Sequence, residues 1–249
     1  MSENVLTLEF LEEYNACRTW KDVFESQYPN GIEWTKRNVL EAVEIFRRHM
    51  AWPYFESGQF KIDLSEMNLR GVDLHGVYFF GANLRGTDLS DANLCFADLY
   101  TADLTAANLS GANLQRTDLS RSTMRAAILT DADLSDNCGA YMADMSLADM
   151  ERADLSGAML AKANFTLAHL VNANLSGTDL SEANMRDANM RGVDFRRTYA
   201  RCADFRGASL RDADFRGSNL RGADFRWADI ENASFHHADI QGAVFSQEK

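Results

Sequence analysis

A five-residue repeat occupies residues 62–247 and restricts what this chain can fold into. Each repeat has an apolar centre, usually Leu or Phe, with a small apolar residue two positions earlier and Asp or Asn directly before it, as in residues 82–86. Centres recur every five residues over 64–134 and, after a shift of one residue near Asn137, over 140–245. These runs hold 15 and 22 repeats, so the pattern has to be explained before any other feature.

This spacing does not suit a helix and is typical of a stacked β-coil. An α-helix turns by about 100° per residue, so centres five residues apart would spread around it and form no single buried face. In an extended chain the centre and the residue two before it face the same way, while the residue between them faces the other. Each repeat is therefore predicted to be a very short strand that ends in a corner. Four right-angle corners close a square coil of about twenty residues, and successive coils stack about 4.8 Å apart.

The placement of residues within the repeat supports the stacked coil. None of the 37 centres is polar or charged, which suits a closed apolar interior. Twelve of the thirteen glycines beyond residue 62 occupy the last slot, where a tight corner favours positive φ. No proline follows Pro53, as expected where a hydrogen-bonded ladder uses nearly every backbone N–H. The shift near Asn137 is predicted to lengthen one corner, either as a bulge without a role or as a local loop for a partner.

The repeat resembles the pentapeptide repeat family, whose consensus is A-[D/N]-L-x-x, over about three quarters of the chain. The resemblance implies a mainly β fold, a right-handed quadrilateral β-helix of about nine coils over residues 62–247. The handedness is implied by the family and does not follow from the spacing.

Residues 1–61 follow a different pattern and are predicted to form a small N-terminal α-helical cap. Apolar residues spaced three and four apart predict a helix over 35–50, and a second helical stretch is expected over about 8–24. A solenoid end exposes an apolar cross-section and an unpaired strand edge, so it needs a cap. The first inner positions, Ile62 and Met67 among them, are larger than the Ala used later and are expected to face that cap. A separate partner-binding helical domain is the alternative.

Charge and composition argue against several classes of function. The net charge of −12 argues against a general binder of nucleic acid or of anionic membranes. Polar residues interrupt every repeat, so no apolar run approaches transmembrane length, and no secretory signal is visible at the N-terminus. The four cysteines are scattered and form no obvious disulfide set, with Cys138 expected inside and Cys95 outside. A reduced, cytoplasmic protein is the expectation.

The sequence carries no recognisable catalytic chemistry. Its five histidines do not cluster with Cys or carboxylates at metal-ligand spacing, and it has neither a phosphate-binding loop nor a nucleophile elbow. The many Asp residues follow the structural repeat and carry no catalytic information. A tube filled with Leu and Phe leaves no obvious substrate cavity. We therefore expect no catalytic, cofactor-binding or metal-binding residues, and a protein that is not an enzyme.

A protein-interaction scaffold is the first functional hypothesis. With four repeats per coil, several outward aromatic side chains fall on one wall, and clustered exposed aromatics favour a contact site for a protein partner that is not identified. The candidate aromatic contacts are Tyr78, Phe80, Tyr100, Tyr141 and Tyr199. The alternative is that the N-terminal helices lie over part of this wall.

A DNA mimic is the second hypothesis, because some members of the family resemble a duplex in shape and charge and bind type II topoisomerases such as DNA gyrase. Residues 62–182 have 17 acidic and 7 basic residues, a net charge of −10, which is over half the charge density of duplex DNA. The candidate acidic contacts are Asp88, Asp91, Asp131, Asp149 and Glu151, on a wall interrupted by Arg152. Such a modulator is expected to protect gyrase from quinolones. Nothing specifically favours a third hypothesis, a secreted bacterial effector.

The C-terminal part of the repeat differs in charge from the rest. Residues 183–249 have 10 acidic and 11 basic residues, with Arg after most centres. Such alternating charge is mostly a solvated, self-paired surface, and an anion-binding strip is the alternative. Nothing obvious covers the final coil, and exposed strand edges pair. A homodimer joined through the C-terminal coils is therefore expected.

Overall fold

The computed structural model describes residues 5–6, 32–33 and 62–245. Near the N-terminus, strand β1 (Val5–Leu6) pairs antiparallel with strand β2 (Ile32–Glu33). Strands of two residues are too short to leave a periodic signal, so the sequence indicated only helices in this segment.

The predicted helices over 8–24 and 35–50 lie outside the described residues. The capping role of residues 1–61 therefore stays a prediction. The described part of the chain contains no helix, and so none with the length and apolar content needed to cross a membrane.

Residues 62–245 form a β-solenoid in which each coil lies on the next. Parallel bridges join residues twenty apart, for example Asp63 to Asn83 and Asn83 to Asp103, and each repeat contributes one bridge residue. The backbone ladder runs both ways, since Leu64 N–H donates to Asn83 O at 2.8 Å and Asn83 N–H donates to Ile62 O at 2.8 Å. The predicted coil of four repeats is confirmed, while its handedness and the number of coils stay predictions.

Each repeat ends in a tight corner whose last slot has a positive φ. Twelve glycines occupy this slot with φ between 61° and 74°, as the sequence predicted. Other residues take the same conformation, such as Thr101 at 57° and Leu167 at 60°. A hydrogen bond closes the corner, as from Met67 N–H to Leu64 O at 3.2 Å, which gives the type II turn pattern with a left-handed third residue. A non-glycine residue in this slot costs about 1–2 kcal/mol, which the ladder offsets.

One corner is a residue longer than the others. Asp118 bridges Gly139, a separation of 21 residues, whereas Gly139 bridges Met159 at the usual twenty. Asp136 and Asn137 both have positive φ, 56° and 65°, where other corners have one left-handed residue. The predicted register shift near Asn137 is thus confirmed, and it is confined to a single corner.

Apolar columns fill the interior of the tube. Leu84, Leu104 and Met124 lie in successive coils with no solvent exposure, as expected. In the C-terminal coils, phenylalanines build two columns on opposite walls, with ring centroids 4.5–5.0 Å apart within a column. Rings from the two columns meet edge to face at 5.6–5.9 Å. The columns are Phe195, Phe215 and Phe235 on one wall and Phe205, Phe225 and Phe245 on the other.

The Asp or Asn before each centre stabilises the corner and links neighbouring coils. Its side-chain oxygen accepts the backbone N–H two residues later, as Asp63 Oδ1 does from Ser65 at 3.0 Å. Where Asn lies above Asp in the next coil, its amide donates back, as from Asn83 Nδ2 to Asp63 Oδ1 at 3.0 Å. Acidic residues in this slot therefore have a structural role that requires no ligand.

Candidate protein-interaction surface

One face of the solenoid, which we call the aromatic wall, carries all five candidate aromatic residues. They are Tyr78, Phe80, Tyr100, Tyr141 and Tyr199. Phe80 and Tyr100 follow the centres of successive coils, and their rings stack with centroids 5.5 Å apart at an interplanar angle of 11°. Tyr78 lies in the adjoining column, and Tyr78 and Phe80 are 47% and 43% exposed. The structure thus places three of the five predicted side chains together at one end of the wall.

Tyr141 lies farther along the aromatic wall, beside two exposed methionines. A coil that presents Ser120 separates Tyr141 from the stacked rings. The ammonium of Lys162 lies 6.0 Å from the centroid of the Tyr141 ring. Met142 and Met159 are both exposed here. Sequence reasoning missed these methionines, although Met159 stands where the repeat normally has Asp or Asn and so could have been noticed.

Tyr199 shares the wall but not the cluster. It bridges Asp179 and Asn219, which places it two coils beyond Met159. It is 58% exposed and about 14 Å from the coil of Tyr141, at the usual spacing between strands. The structure therefore does not bring Tyr199 together with the other four aromatic residues.

A second face, the acidic wall, carries Asp88, Asp91, Asp131, Asp149 and Glu151. Arg152 interrupts this wall and forms ion pairs with Asp131 at 2.7 Å and Glu151 at 2.5 Å. The hydrogen bond from the Arg152 guanidinium holds the pKa of Asp131 below its usual value. Two of the five candidate acids thus share one arginine, which offsets one of their two negative charges.

The other three acids of this wall also have partners within the protein. Asp91 pairs with Arg70 at 2.9 Å, and Asp149 Oδ1 lies 3.1 Å from the Nδ1 atom of His169. Asp88 accepts hydrogen bonds from the hydroxyl two residues later and from an asparagine amide in the next coil. The acidic wall consequently offers no row of unpaired carboxylates of the kind a duplex mimic would need.

A half-buried carboxylate lies within the aromatic wall. Asp98 is bridged to Tyr78 in one neighbouring coil and to Asp118 in the other. Burial raises the pKa of Asp98 above its usual value of 3.8, the hydrogen bond from Tyr100 N–H opposes that rise, and the charge of Asp118 adds to it. Asp98 and Asp118 thus bring two carboxylates together in successive coils with no cation or amide between them, and this pair is expected to lower the stability of the solenoid.

Replacing Asp118 with Asn is expected to raise the free energy of unfolding at pH 7 by about 1 kcal/mol. The new amide can donate to Asp98 Oδ1, as Asn83 Nδ2 does to Asp63 Oδ1 at 3.0 Å. It also removes the like charge, while its oxygen still accepts the N–H of Ser120. Urea unfolding followed by circular dichroism measures the change.

The matched control is Asp214→Asn, because Asp214 also lies above an aspartate, Asp194. There the hydrogen bond from Arg216 lowers the pKa of Asp214, so the substitution should cost about 0.5–1 kcal/mol. The pH dependence follows from the raised pKa of Asp98, because stability is lost as pH rises through the folded-state pKa. Asp118→Asn should reduce that loss, and equal pH profiles for it and the wild type would contradict the assignment.

The described residues hold no cluster of three or more His, Cys, Asp or Glu side chains that could bind a metal ion. The described cysteines are free: Cys138 is buried in the core, Cys95 is half-buried and Cys202 is exposed. Burial raises the pKa of the Cys138 thiol, which makes it a poor nucleophile. In the described part of the chain we therefore find no group of side chains arranged for catalysis.

Two family descriptions match the solenoid. "Pentapeptide repeats" matches residues 61–94, 97–136 and 208–247 in 8 copies. "Pentapeptide repeat region" matches residues 148–225. No curated protein matches this chain.

Solved structures built from the same repeat are similar to this chain. HetL from the cyanobacterium Nostoc, a pentapeptide repeat protein involved in heterocyst differentiation regulation, is 28% identical over 74% of this chain and 89% of its own, with a TM-score of 0.32. A trypsin-treated form of QnrB1, a plasmid-mediated fluoroquinolone resistance protein, is 19% identical over 75% of this chain and 92% of its own, with a TM-score of 0.51, a likeness of fold alone. By its repeats, its stacked coils and the two family descriptions that match it, the chain belongs to the pentapeptide repeat family.

Proposed function

We propose that the protein is a non-enzymatic protein-interaction scaffold whose binding surface is the aromatic wall around Phe80, Tyr100 and Tyr141. The stacked pair of rings at 5.5 Å, of which Phe80 is exposed and Tyr100 half-buried, carries this proposal. Aromatic side chains dominate the binding energy of protein interfaces, because each buries a large area at a low cost in conformational entropy. Such rings, with exposed methionines beside them, are suited to contact with an apolar patch of a partner protein.

The rings of this surface are held on a rigid backbone. Tyr100 N–H donates to Asp98 Oδ1 at 3.0 Å, and the Tyr100 carbonyl accepts from Gly81 N–H at 2.9 Å. A partner therefore does not have to order the wall on binding, which removes part of the usual entropic cost. Met142 and Met159 add flexible apolar side chains that adapt to the shape of the partner.

A double variant, Tyr100→Ser with Tyr141→Ser, tests the proposal. Purified wild type, the double variant and Tyr199→Ser are used to capture proteins from a lysate of the source cells. Tyr199 lies on the same wall but apart from the cluster, so it is the matched control. We expect a protein that the wild type and Tyr199→Ser retain, and that the double variant loses at least about tenfold.

The melting temperature of each variant separates two interpretations of the wall. The double variant should melt within about 2 °C of the wild type if only an outside partner uses these rings. A clear fall in melting temperature without loss of a captured protein would instead indicate that residues 1–61 cover the wall. Equal capture and equal melting by all three proteins would refute both.

A DNA-mimicking modulator of DNA gyrase is the second candidate. The net charge of −10 over residues 62–182 favours it, and the fold of QnrB1 is similar. The ion pairs of Arg152 and Arg70 on the acidic wall oppose it, so we rank it second. Inhibition of gyrase supercoiling, or protection from a quinolone, at micromolar protein would reverse this order.

Self-association through the C-terminal coil is proposed alongside the scaffold role. Ile240 and Val244 are exposed in the final described repeats, and Phe235 and Phe245 are only partly buried. Such an apolar end is suited to pairing with a second copy of the chain. Light scattering should give twice the mass of one chain, and the mass of a single chain at high concentration would contradict the dimer.

A further inference from the structure

A basic groove lies at the corner that follows the centres Phe195 and Phe215. It has a volume of ≈ 640 Å³, and its polar lining comes from successive coils. The side chains that line it are Ser176, Arg196, Arg197, Arg216, His236 and His237. The groove lies outside the residues proposed for the scaffold and for the DNA mimic, within the Arg-rich stretch for which an anion-binding strip was the alternative.

Two glycines leave the space that forms the groove. Gly177 and Gly217 occupy the corner slot in the coils on either side of Arg197, with φ values of 68° and 69°. Apart from Gly177 and its two chain neighbours, no residue has a heavy atom within 4 Å of the place where a Cβ of Gly177 would be. The Cγ of Arg197 lies 3.9 Å from the corresponding position at Gly217. The side chain of Arg197 therefore lies in the open space of the groove, next to Gly217.

The three arginines of the groove differ in whether they are ion-paired. Arg196 and Arg216 each form an ion pair with the aspartate two residues earlier, Asp194 at 2.5 Å and Asp214 at 2.6 Å. Arg197, by contrast, has no ion pair or side-chain hydrogen bond with any residue in the described ranges. The groove thus contains a guanidinium whose donors are free, with the nearby carboxylates already engaged.

The neighbouring polar groups suit an oxyanion. The rings of His236 and His237 lie with centroids 3.8 Å apart at the far end of the groove, and the Ser176 hydroxyl lines its near end. Guanidinium, imidazole and hydroxyl groups are all donors to phosphate oxygens, and arginine binds phosphate with two parallel hydrogen bonds. The volume exceeds that of a bare phosphate, so there is room for the group that the phosphate is attached to.

We infer that this groove binds a phosphate group, with Arg197 as its principal contact and His236, His237 and Ser176 as further donors. The site is separate from the cluster of Phe80, Tyr100 and Tyr141, so it can be tested whatever the outcome there. The groove is open to solvent on one side, and the affinity for inorganic phosphate alone should be on the order of 1 mM.

The full-length protein is titrated with sodium phosphate, with sodium chloride at matched ionic strength as the reference, and binding is followed by calorimetry. Arg197→Gln is expected to weaken phosphate binding about tenfold or more. Arg121→Gln is the matched control, because Arg121 has the same corner slot and the same φ of 58° but lies on another corner. It should bind phosphate as the wild type does. Unchanged circular dichroism spectra and melting temperatures of both variants exclude a folding defect.

Three results would overturn the inference: no heat with phosphate beyond that with chloride, wild-type binding by Arg197→Gln, or an equal loss in Arg121→Gln. Where binding is found, titrations with O-phosphoserine and with adenosine monophosphate identify the source of the group. Tighter binding of phosphoserine points to a phosphorylated peptide, and tighter binding of the nucleotide points to a nucleoside phosphate. Equal binding of both assigns the site to phosphate itself.

Discussion

Replacing Phe215 with Ala is expected to lower the free energy of unfolding by about 3–5 kcal/mol, a large share of the stability of a typical domain. Phe215 stacks on Phe195 at 4.5 Å and on Phe235 at 5.0 Å. It also meets Phe205 and Phe225 edge to face, each at 5.7 Å. Truncating this ring removes contacts with three coils at once.

The cavity left by the smaller side chain has little means of closing. The walls of the tube are held apart by the backbone ladder, in which the Phe215 N–H donates to Ser234 O at 2.8 Å and Asp214 O accepts from Phe195 N–H at 2.8 Å. Collapse of the neighbouring coils would break these hydrogen bonds. The cost should therefore lie near the upper part of the range for buried aromatic residues.

Two further variants separate the cavity from other effects. Phe215→Leu keeps most of the volume and is expected to cost about 1–2 kcal/mol. Tyr199→Ala removes an exposed aromatic ring and should cost about 0.5 kcal/mol or less. Urea unfolding gives the three values, and hydrogen exchange shows whether the loss is confined to the coils around residue 215, as expected of a solenoid whose coils contact only their neighbours. Equal losses for Phe215→Ala and Phe215→Leu would contradict the stacked-column account.

The solenoid itself could be predicted from the sequence because its constraints are local and repeated. A five-residue period with an apolar centre admits one simple burial scheme, and the left-handed glycines, the column of Leu84 and Leu104 and the corner at Asn137 all agree with it. Assigning residues to walls needed only the coil length. The structure therefore confirms placement along the chain and around the tube.

Contacts between surface side chains could not be predicted in the same way. The pairing of Arg152 with Asp131 and Glu151 depends on side-chain rotamers. The positions of charged residues on a wall therefore do not show which carboxylates are paired and which are free. The groove beside Arg197 exists because Gly177 and Gly217 have no side chains to fill the space next to it. The repeat pattern assigns residues to positions and does not show where such empty space forms a groove. Tyr199 was assigned to the correct wall but grouped with residues three to six coils away.

Deleting Asn137 is expected to change the free energy of unfolding by about 1 kcal/mol or less, whereas deleting Lys162 is expected to cost more than about 3 kcal/mol. Three residues lie in the corner between Leu134 and Cys138, and two lie in an ordinary corner. Removing Asn137 leaves Asp136, whose φ is already 56°, as the left-handed residue of an ordinary turn. The separation between the bridged residues Asp118 and Gly139 then becomes the usual twenty.

Deleting Lys162 leaves a corner that cannot close. One residue would remain between the centre Leu160 and Ala163, so the turn bond from Ala163 N–H to Leu160 O at 3.0 Å is lost. The ladder bond from Lys162 N–H to Ser181 O at 2.9 Å is lost with it. Unless a neighbouring coil distorts, the residues that follow change faces, and Asn164 then points into the apolar interior. Lys162→Gly keeps the chain length at a φ of 61° and should raise the free energy of unfolding by up to about 1 kcal/mol, because relief of the left-handed strain outweighs the extra entropy that glycine loses on folding.

The same deletion decides whether the long corner has a role of its own. Tyr141 stays on the aromatic wall when Asn137 is removed, because the coils on either side keep their bridges. A corner that is only a bulge should therefore yield a variant with wild-type stability and wild-type capture of partners. If the variant keeps its unfolding midpoint but loses a partner that Tyr199→Ser retains, the extra residue forms part of the contact surface. If it unfolds as readily as the Lys162 deletion, the account of the register shift given by the corner geometry is wrong.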